Sequence, residues 1–377
     1  MTLEIVAAQG RRGVAAFVDV PWQLPPLAGS PTWVPPLRMM VRDNLDTSGN
    51  PFYKSADRAL FIARRNGRAV GRIAAIENRA HNRYHEDRVG FFGFFECEDN
   101  AETAARLFES AADWLKGKGL AAMRGPMSPS TNHECGLLVD GFDVHPMFLT
   151  PWNPRYYEAL VTGAGLAQVK ELLAYWLPYG EPGFQLNPRL AALAERAKSK
   201  SKLAFRSIRL DTYMEDVAIC WDVYNGAWEK NWGFVPMSRE EFFHMARELK
   251  PLLIPQFAFI AEVNGAPAGF MLCVPDFNLV FKKNPTGRLI PFGLYHILTG
   301  KSKLRTGRLM ALGIKEEFRT GSILPVFMHE AAQRGMAYGS TGAEASWILE
   351  DNQAVRQPAE GFGGRVYRRW RIYEKPL

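Results

Sequence analysis

Between residues 202 and 375 the apolar positions change period in a definite order. KLAFRSIRL (202–210) has a strand pattern. MEDVAICWDVYNGAWEKN (214–231) and SREEFFHMARELKPLL (238–253) repeat apolar residues at helical spacing, and Ser238 with Glu241 makes a capping box. FIAEVNGAPAG (259–269) brackets an Asn-Gly pair with apolar runs. That is the strongest short-range hairpin signal, because a type I′ turn needs positive φ at both central residues. After an irregular stretch (279–306), GRLMALGIKEEF (307–318) reads as a strand and SILPVFMHEAAQRGMAYG (322–339) as an amphipathic helix ending near Gly339. GAEASWILEDN (342–352) is a strand, followed by a short helix and a final strand, VYRRWRIYEK (366–375). The predicted order is β-α-α-β-β-β-α-β-α-β.

The hairpin occurs twice. FIARRNGRAVG (61–71) matches FIAEVNGAPAG (259–269) at an offset of 198 residues, including both Asn-Gly turns and the closing Gly71 and Gly269. The same offset relates Gly165 to Gly363 and Tyr175 to Tyr373. RVGFFGFFECED (88–99) and AETAARLFESAADWLKGKG (101–119) supply the first half's matching strand and helix. A repeat of this length predicts two copies of one fold. The expected domains are 1–180 and 201–377. A Pro/Gly-led stretch turning into an Ala/Arg/Lys segment (181–200) serves as the linker.

Composition narrows the class. The chain has 377 residues, 47% hydrophobic and 23% charged, which suits packed cores and excludes disorder as the main state. No apolar run approaches the ~20 residues of a membrane helix, and residues 1–12 lack a leader pattern, so no membrane partner and a cytoplasmic location are expected. Cys97, Cys135, Cys220 and Cys273 lie far apart without metal-ligand spacing, so no metal site is expected. The net charge of +7 lies in the second half: residues 1–180 hold 19 basic and 19 acidic side chains, residues 181–377 hold 27 and 20. That asymmetry points to an anionic ligand there. Nucleic-acid-binding signatures are missing.

The order of elements resembles the GNAT acyltransferase family, over the whole chain and as a tandem pair. GIKEEFRTGSIL (313–324) looks like that family's pyrophosphate-binding turn, and LEDNQAVRQPAEGFGG (349–364) like the segment after its fifth strand. The resemblance implies an α/β fold with two mixed-sheet GNAT-like domains. It implies an N-acyltransferase that moves an acyl group, expected to be acetyl, from acetyl-CoA or another acyl-CoA to a primary amine of a small molecule or peptide. Leu312, Gly313, Ile314, Arg319, Thr320, Gly321, Ser322 and Asn352 are the implied cofactor-binding residues. The turn is shorter than the family's, R-T-G-S. Its logic is general: free N–H groups and the dipole at a helix start attract anions.

Glu344 and Glu350 are the candidate bases, placed six apart on one expected strand, with Tyr373 as a further catalytic candidate. The usual acid tyrosine would fall at Ala359. The first copy has ECEDNAE (96–102) at the equivalent turn, four carboxylates and no glycine, and is expected to have lost the cofactor site. The Pro-, Gly- and aromatic-rich loop 124–160 is assigned to a pocket or to packing. Two alternatives remain: a non-catalytic acyl-CoA-binding protein, and an aminoacyl transferase using charged tRNA.

Overall fold

The computed structural model describes all residues except Met1, Ser201, Lys230 and residues 320–322. The first half runs β1 (Leu3–Ala7), α1 (Gly10–Asp19), α2 (Pro25–Ala28), α3 (Arg38–Asp43), β2 (Ala56–Arg65), β3 (Arg68–Asn78), α4 (Arg79–His85), β4 (Val89–Cys97) and α5 (Ala101–Gly117). It continues through β5 (Ala122–Gly125), β6 (Met127–Ser128), β7 (Glu134–Cys135), β8 (Leu137–Asp140), α6 (Tyr157–Gly163) and β9 (Ala167–Leu177). After α7 (Pro188–Lys200) come β10 (Leu203–Ser207), α8 (Tyr213–Ala227), α9 (Arg239–Leu249), β11 (Ala258–Val263), β12 (Ala266–Pro275) and α10 (Asn278–Phe281). The chain closes with α11 (Leu294–Gly300), β13 (Thr306–Ile314), α12 (Ile323–Tyr338), β14 (Gly342–Leu349), α13 (Gln353–Gly361) and β15 (Arg365–Pro376).

Both Asn-Gly hairpins form. Asn66 and Gly67 have φ of 51° and 78°, Asn264 and Gly265 have 51° and 80°, the positive pair that a type I′ turn demands. The flanking strands pair antiparallel, Ala63 with Gly71 and Ala261 with Gly269. The offset of 198 also relates β9 to β15 at their first residues, Ala167 and Arg365. The second half follows the predicted order, and α10 and α11 occupy the stretch expected to be irregular.

One compact unit comprises Met1–Leu172, Val280–Leu298 and Arg368–Leu377; the other comprises Leu173–Leu279 and Thr299–Tyr367. The first unit orders its strands β1-β2-β3-β4-β5-β15, with β8 also on β15. Its core packs α5 on the sheet through Leu107, Phe108, Ala111 and Leu115, all fully buried, against Phe92, Met123 and Tyr373. Each such large apolar side chain contributes about 1.5–3 kcal/mol on burial. Asn100 caps α5 by accepting the Thr103 N–H at 2.9 Å. The buried Arg368 donates to the carbonyls of Gly141, Val144 and His145, and Trp370 Nε1 to Pro151 O, so the final strand fixes the loop 124–160.

The second unit orders its strands β9-β14-β13-β12-β11-β10. Helix α12 packs on one face through Val326 and Phe327 against Phe259 and Met271. Helices α8 and α9 cover the other face through Val217, Val223 and Ala246 against Ile260 and Phe270. Ser238 caps α9 as its sequence requires, accepting the Glu241 N–H at 3.2 Å. The segment expected as a linker contains α7, whose Ala194 is fully buried with Phe259 and Val326. The alanine-rich face that made it helical also gives it a place in this core.

Candidate active site

In the second unit β13 and β14 run parallel and pair only over Thr306↔Gly342, Gly307↔Ala343, Arg308↔Glu344 and Leu309↔Ala345. Beyond that point they part. On its other side β13 stays joined to β12 as far as Ile314↔Gly269, but the register slips, with Leu309 opposite Cys273 and Ala311 opposite Leu272. Met310 is therefore an extra residue. A bulge of this kind bends its strand and leaves backbone groups outside the ladder, which is the physical basis of the parting. The result is an open fork whose arms are Met310–Ile314 and Ser346–Leu349.

At the base of the fork lies a buried polar group. Glu344 has no exposed surface and Arg308 only 3%. The Glu344 carboxylate accepts hydrogen bonds from the Ser346 and Tyr367 hydroxyls. Arg308 Nε donates to Ser346 Oγ at 2.8 Å and lies 3.8 Å from Glu344 Oε1. Its guanidinium sits 4.4 Å over the Trp347 ring. A buried carboxylate with a cation and two hydroxyls has the partners that make such burial tolerable. Tyr367 is half-buried, and Trp176 meets its ring edge-on at 6.2 Å. Alternation assigns the faces. Leu309, Ala343 and Ala345 face α12, so Arg308 and Glu344 face the side of α8 and α9.

An aromatic wall stands on that side. Trp228 packs so closely on the fork arm that a Cβ on Gly313 would come within 2.4 Å of its ring. Tyr224 lies 4.7 Å from Trp228, 5.7 Å from Phe234 and 5.5 Å from Phe242. Beside it, burial pushes the Glu241 carboxyl up to about 7.

The first unit has the same fork in closed form. Strands β4 and β5 pair parallel over Val89↔Ala122 to Phe91↔Arg124, then part, and the register of β4 on β3 also slips. Here β6 fills the gap. The Phe94 N–H donates to Ser128 Oγ at 2.9 Å, and a Cβ on Gly93 would stand 1.8 Å from the Met127 carbonyl oxygen. The carboxylates of the adjoining turn are engaged structurally. Glu98 accepts from Thr103 Oγ1 and Arg65, and Glu96 accepts from Tyr157 while pairing with Arg72 at 3.6 Å.

No family model matches the chain. The bacterial ceramide synthase of Caulobacter vibrioides (strain NA1000 / CB15N) is 33% identical over 382 aligned residues, covering 100% of this chain and 98% of the relative. The chain belongs to the bacterial ceramide synthase family. Protein YghO of Escherichia coli (strain K12) is 31% identical, covering 97% of this chain and 94% of its own. Among solved structures, a tandem GNAT protein from the clavulanic acid biosynthesis pathway superposes with a TM-score of 0.57 at 13% identity, covering 100% of this chain and 98% of the other. A GCN5-related N-acetyltransferase from Sphaerobacter thermophilus gives 0.55 at 12% identity, covering 99% and 95%. These likenesses show the tandem GNAT fold. Acyl transfer to an amine is the chemistry that this family carries, and it is favoured over bare ligand binding and over transfer from charged tRNA.

Within this fold the sequence-predicted residues separate. Leu312, Gly313 and Ile314 lie on the fork arm of β13, Leu312 and Ile314 toward α12 and Gly313 under Trp228. Thr320, Gly321 and Ser322 lie outside the described residues. Arg319 turns back: Nε donates to Ile314 O at 3.0 Å and Nη2 to Ala227 O at 2.7 Å, at the C-terminal end of α8, where a cation is favoured. Asn352 occupies the N-cap position of α13 without a side-chain cap bond. Glu344 stands at the base of the fork, but β14 ends at Leu349, so Glu350 falls in the turn beyond it and does not share a strand face with Glu344. Tyr373 belongs to the first unit, packed in its core with its hydroxyl on Glu158 at 2.7 Å. The tyrosine that reaches Glu344 is Tyr367, earlier on the same strand.

Arg308 and Ser346 were not foreseen. An arginine inside the apolar run RLMALGI was the available signal. The arginine stripe of the last strand is neutralised in the first unit, Arg369 on Glu171 at 2.6 Å and Arg371 on Glu158 at 2.7 Å.

Proposed function

We propose that this chain joins a long-chain acyl group, delivered as the CoA thioester, to the primary amine of a long-chain amino alcohol, and that the reaction takes place in the fork of the second unit. The observation that carries the reading is the parting of β13 and β14 directly above the Arg308–Glu344 pair, with the Tyr367 hydroxyl bonded to that carboxylate. The relative from Caulobacter vibrioides is named a ceramide synthase, and a ceramide is the N-acyl amide of a long-chain amino alcohol. The acetyl group expected from the sequence gives way to a longer acyl chain in this reading. The support is the apolar character of the site, with an aromatic wall of Tyr224, Trp228, Phe234 and Phe242 on one sheet face.

The chemistry forms a C–N bond and breaks a C–S bond, so the amine must lose a proton and the departing thiolate must gain one. Tyr367 is the half-buried member of the network and faces the acceptor amine. Its hydroxyl takes the amine proton while passing its own to Glu344, and as the C–S bond breaks the proton returns from Glu344 through the Tyr367 hydroxyl to the departing thiolate, which leaves as the thiol and restores the carboxylate. Ser346 and Arg308 hold the Glu344 carboxylate in place for that transfer. The open arm of β13, with the bulge at Met310, is the edge on which an extended pantetheine arm fits, since its backbone groups have no partner strand on the β14 side. The first unit, with Ser128 and Met127 in its fork, has a supporting role.

The test is amide formation followed by mass spectrometry, with acetyl-, octanoyl- and palmitoyl-CoA against a long-chain amino alcohol, a short amino alcohol and a peptide amine. The proposal expects the palmitoyl amide of the long-chain amino alcohol as the dominant product. Turnover confined to acetyl-CoA, or to the peptide amine, would overturn it.

A further inference from the structure

We infer that the arm Val280–Leu298 of the first unit is a docking element for the surface of an anionic lipid bilayer. This does not depend on the substrates proposed above. The arm displays the exposed large apolar side chains Ile290 (73% exposed), Leu294 (43%), Tyr295 (61%) and Leu298 (71%) within nine residues. Leu294 and Leu298 are one helical turn apart on α11 and share a face. Met39 of α3, in the same unit, is 52% exposed. Scattered exposed apolar residues are ordinary, but a cluster on one short element marks an interaction surface.

The arm is held in place. Trp22 Nε1 donates to Pro285 O at 2.8 Å, Arg38 Nε to Thr286 O at 2.7 Å, and the Arg38 N–H to Gly287 O at 2.9 Å. Asn284 Nδ2 ties the loop internally to Arg288 O at 2.7 Å. Phe281 packs edge-on against Phe148 at 5.8 Å. The apolar tip is therefore presented by an anchored loop.

Charge selects the occupant. From Phe277 to Lys315 the chain contains no Asp or Glu, yet it carries eight Lys and Arg residues. Within the arm, Lys282, Lys283 and Arg288 are exposed, as is Arg42 of α3. Arg288 and Arg42 both lie near enough to Arg38 to act on its charge. Exposed apolar side chains on a segment that carries cations and no acid of its own supply the two signals that hold a protein at an interface: burial at the headgroup boundary, and attraction to anionic lipid. No described helix is long and apolar enough to cross a membrane, and a docked arm does not require one. The absence of a spanning run, which led the sequence reading to expect no membrane partner, leaves a surface contact open.

The experiment is flotation of the full chain with vesicles of phosphatidylglycerol and phosphatidylcholine, compared with phosphatidylcholine alone, at low and high salt. The expected result is binding to the anionic vesicles that weakens with salt. The Ile290→Ser/Leu294→Ser/Leu298→Ser variant should bind at least about tenfold more weakly. Lys282→Gln/Lys283→Gln/Arg288→Gln should reduce the preference for anionic lipid, by about fivefold per charge removed. Leu298→Glu serves in place of the triple variant if its melting curve shows misfolding. Absence of wild-type flotation, or equal flotation of the apolar variant, overturns the inference. A concentration-dependent dimer that the apolar variant dissolves, without vesicle binding, overturns it in favour of self-association.

Discussion

Glu344→Gln is the substitution that probes the fork most sharply. It keeps the shape and one acceptor oxygen but removes the charge that faces Arg308 at 3.8 Å, and it turns the other oxygen into a donor. Removing one partner of a buried ion pair usually costs about 3–5 kcal/mol. Arg308 keeps its 2.8 Å bond to Ser346 Oγ and its place over Trp347, so we expect a cost at or just below the bottom of that range, about 2–3 kcal/mol. For a unit of this size that lowers the melting temperature by about 5–10 °C, leaving the protein folded at 20 °C. Activity should fall much further than stability. Loss of the final proton acceptor removes the general-base contribution, about 10²–10⁴ in kcat, with little change in KM. Tyr367→Phe should lower kcat to a similar degree at a smaller stability cost of about 1 kcal/mol. The double variant should be no slower than the worse single one, because both act on one proton path. The assay is thiol release from palmitoyl-CoA with amide quantified in parallel, at a temperature where calorimetry shows every variant folded. A folded Glu344→Gln enzyme with wild-type kcat, or additive losses in the double variant, would refute the relay.

The closed fork of the first unit predicts that Gly93→Ala loses at least about 2–3 kcal/mol in denaturant unfolding, since its Cβ would meet a backbone oxygen at 1.8 Å, whereas Gly117→Ala, with open space around it, gains up to about 1 kcal/mol. Glu241 makes stability fall with rising pH. Its carboxyl titrates near 7 in the fold, so the contribution is complete below its ordinary value of 4.5 and is lost as pH rises through about 7. Glu241→Gln should match the wild type near pH 4 and exceed it at pH 8 by about 1–2 kcal/mol, a figure reduced for partial exposure and read by chemical denaturation at both pH values. Arg319→Ala should loosen the turn after β13, lowering both melting temperature and acyl-CoA affinity in titration calorimetry; unchanged affinity would show that the turn does not contribute to donor binding.

Much of the fold was legible because local chemistry and global arrangement agree. The Asn-Gly turns, the Ser238 cap and the helix-terminating Gly339, at φ 79°, are each decided by a few neighbouring residues. The base of the fork was legible only in part. Glu344 could be singled out as a carboxylate in an apolar strand. Its partners could not, because Tyr367 and Tyr373 have the same parity on β15, and nothing local reveals that the strand passes from one unit to the other between Tyr367 and Arg368. The bulge at Met310 is equally silent in RLMALGI, since it is set by the register of β13 on β12. Glu350 was misplaced by a strand boundary a few residues too long. The exposed apolar tip of α11 reads in sequence like buried material, because hydrophobicity alone does not report what covers a side chain.

The central claim is that the donor lies in the fork of the second unit and not in that of the first. A crystal structure of the protein with a non-hydrolysable palmitoyl-CoA analogue tests it most directly. The account predicts density for the pantetheine arm between Met310–Ile314 and Ser346–Leu349, with the carbonyl carbon within reach of an amine held at the Tyr367 hydroxyl. Density between β4 and β5, or a donor bound away from both arms of the second fork, would contradict it.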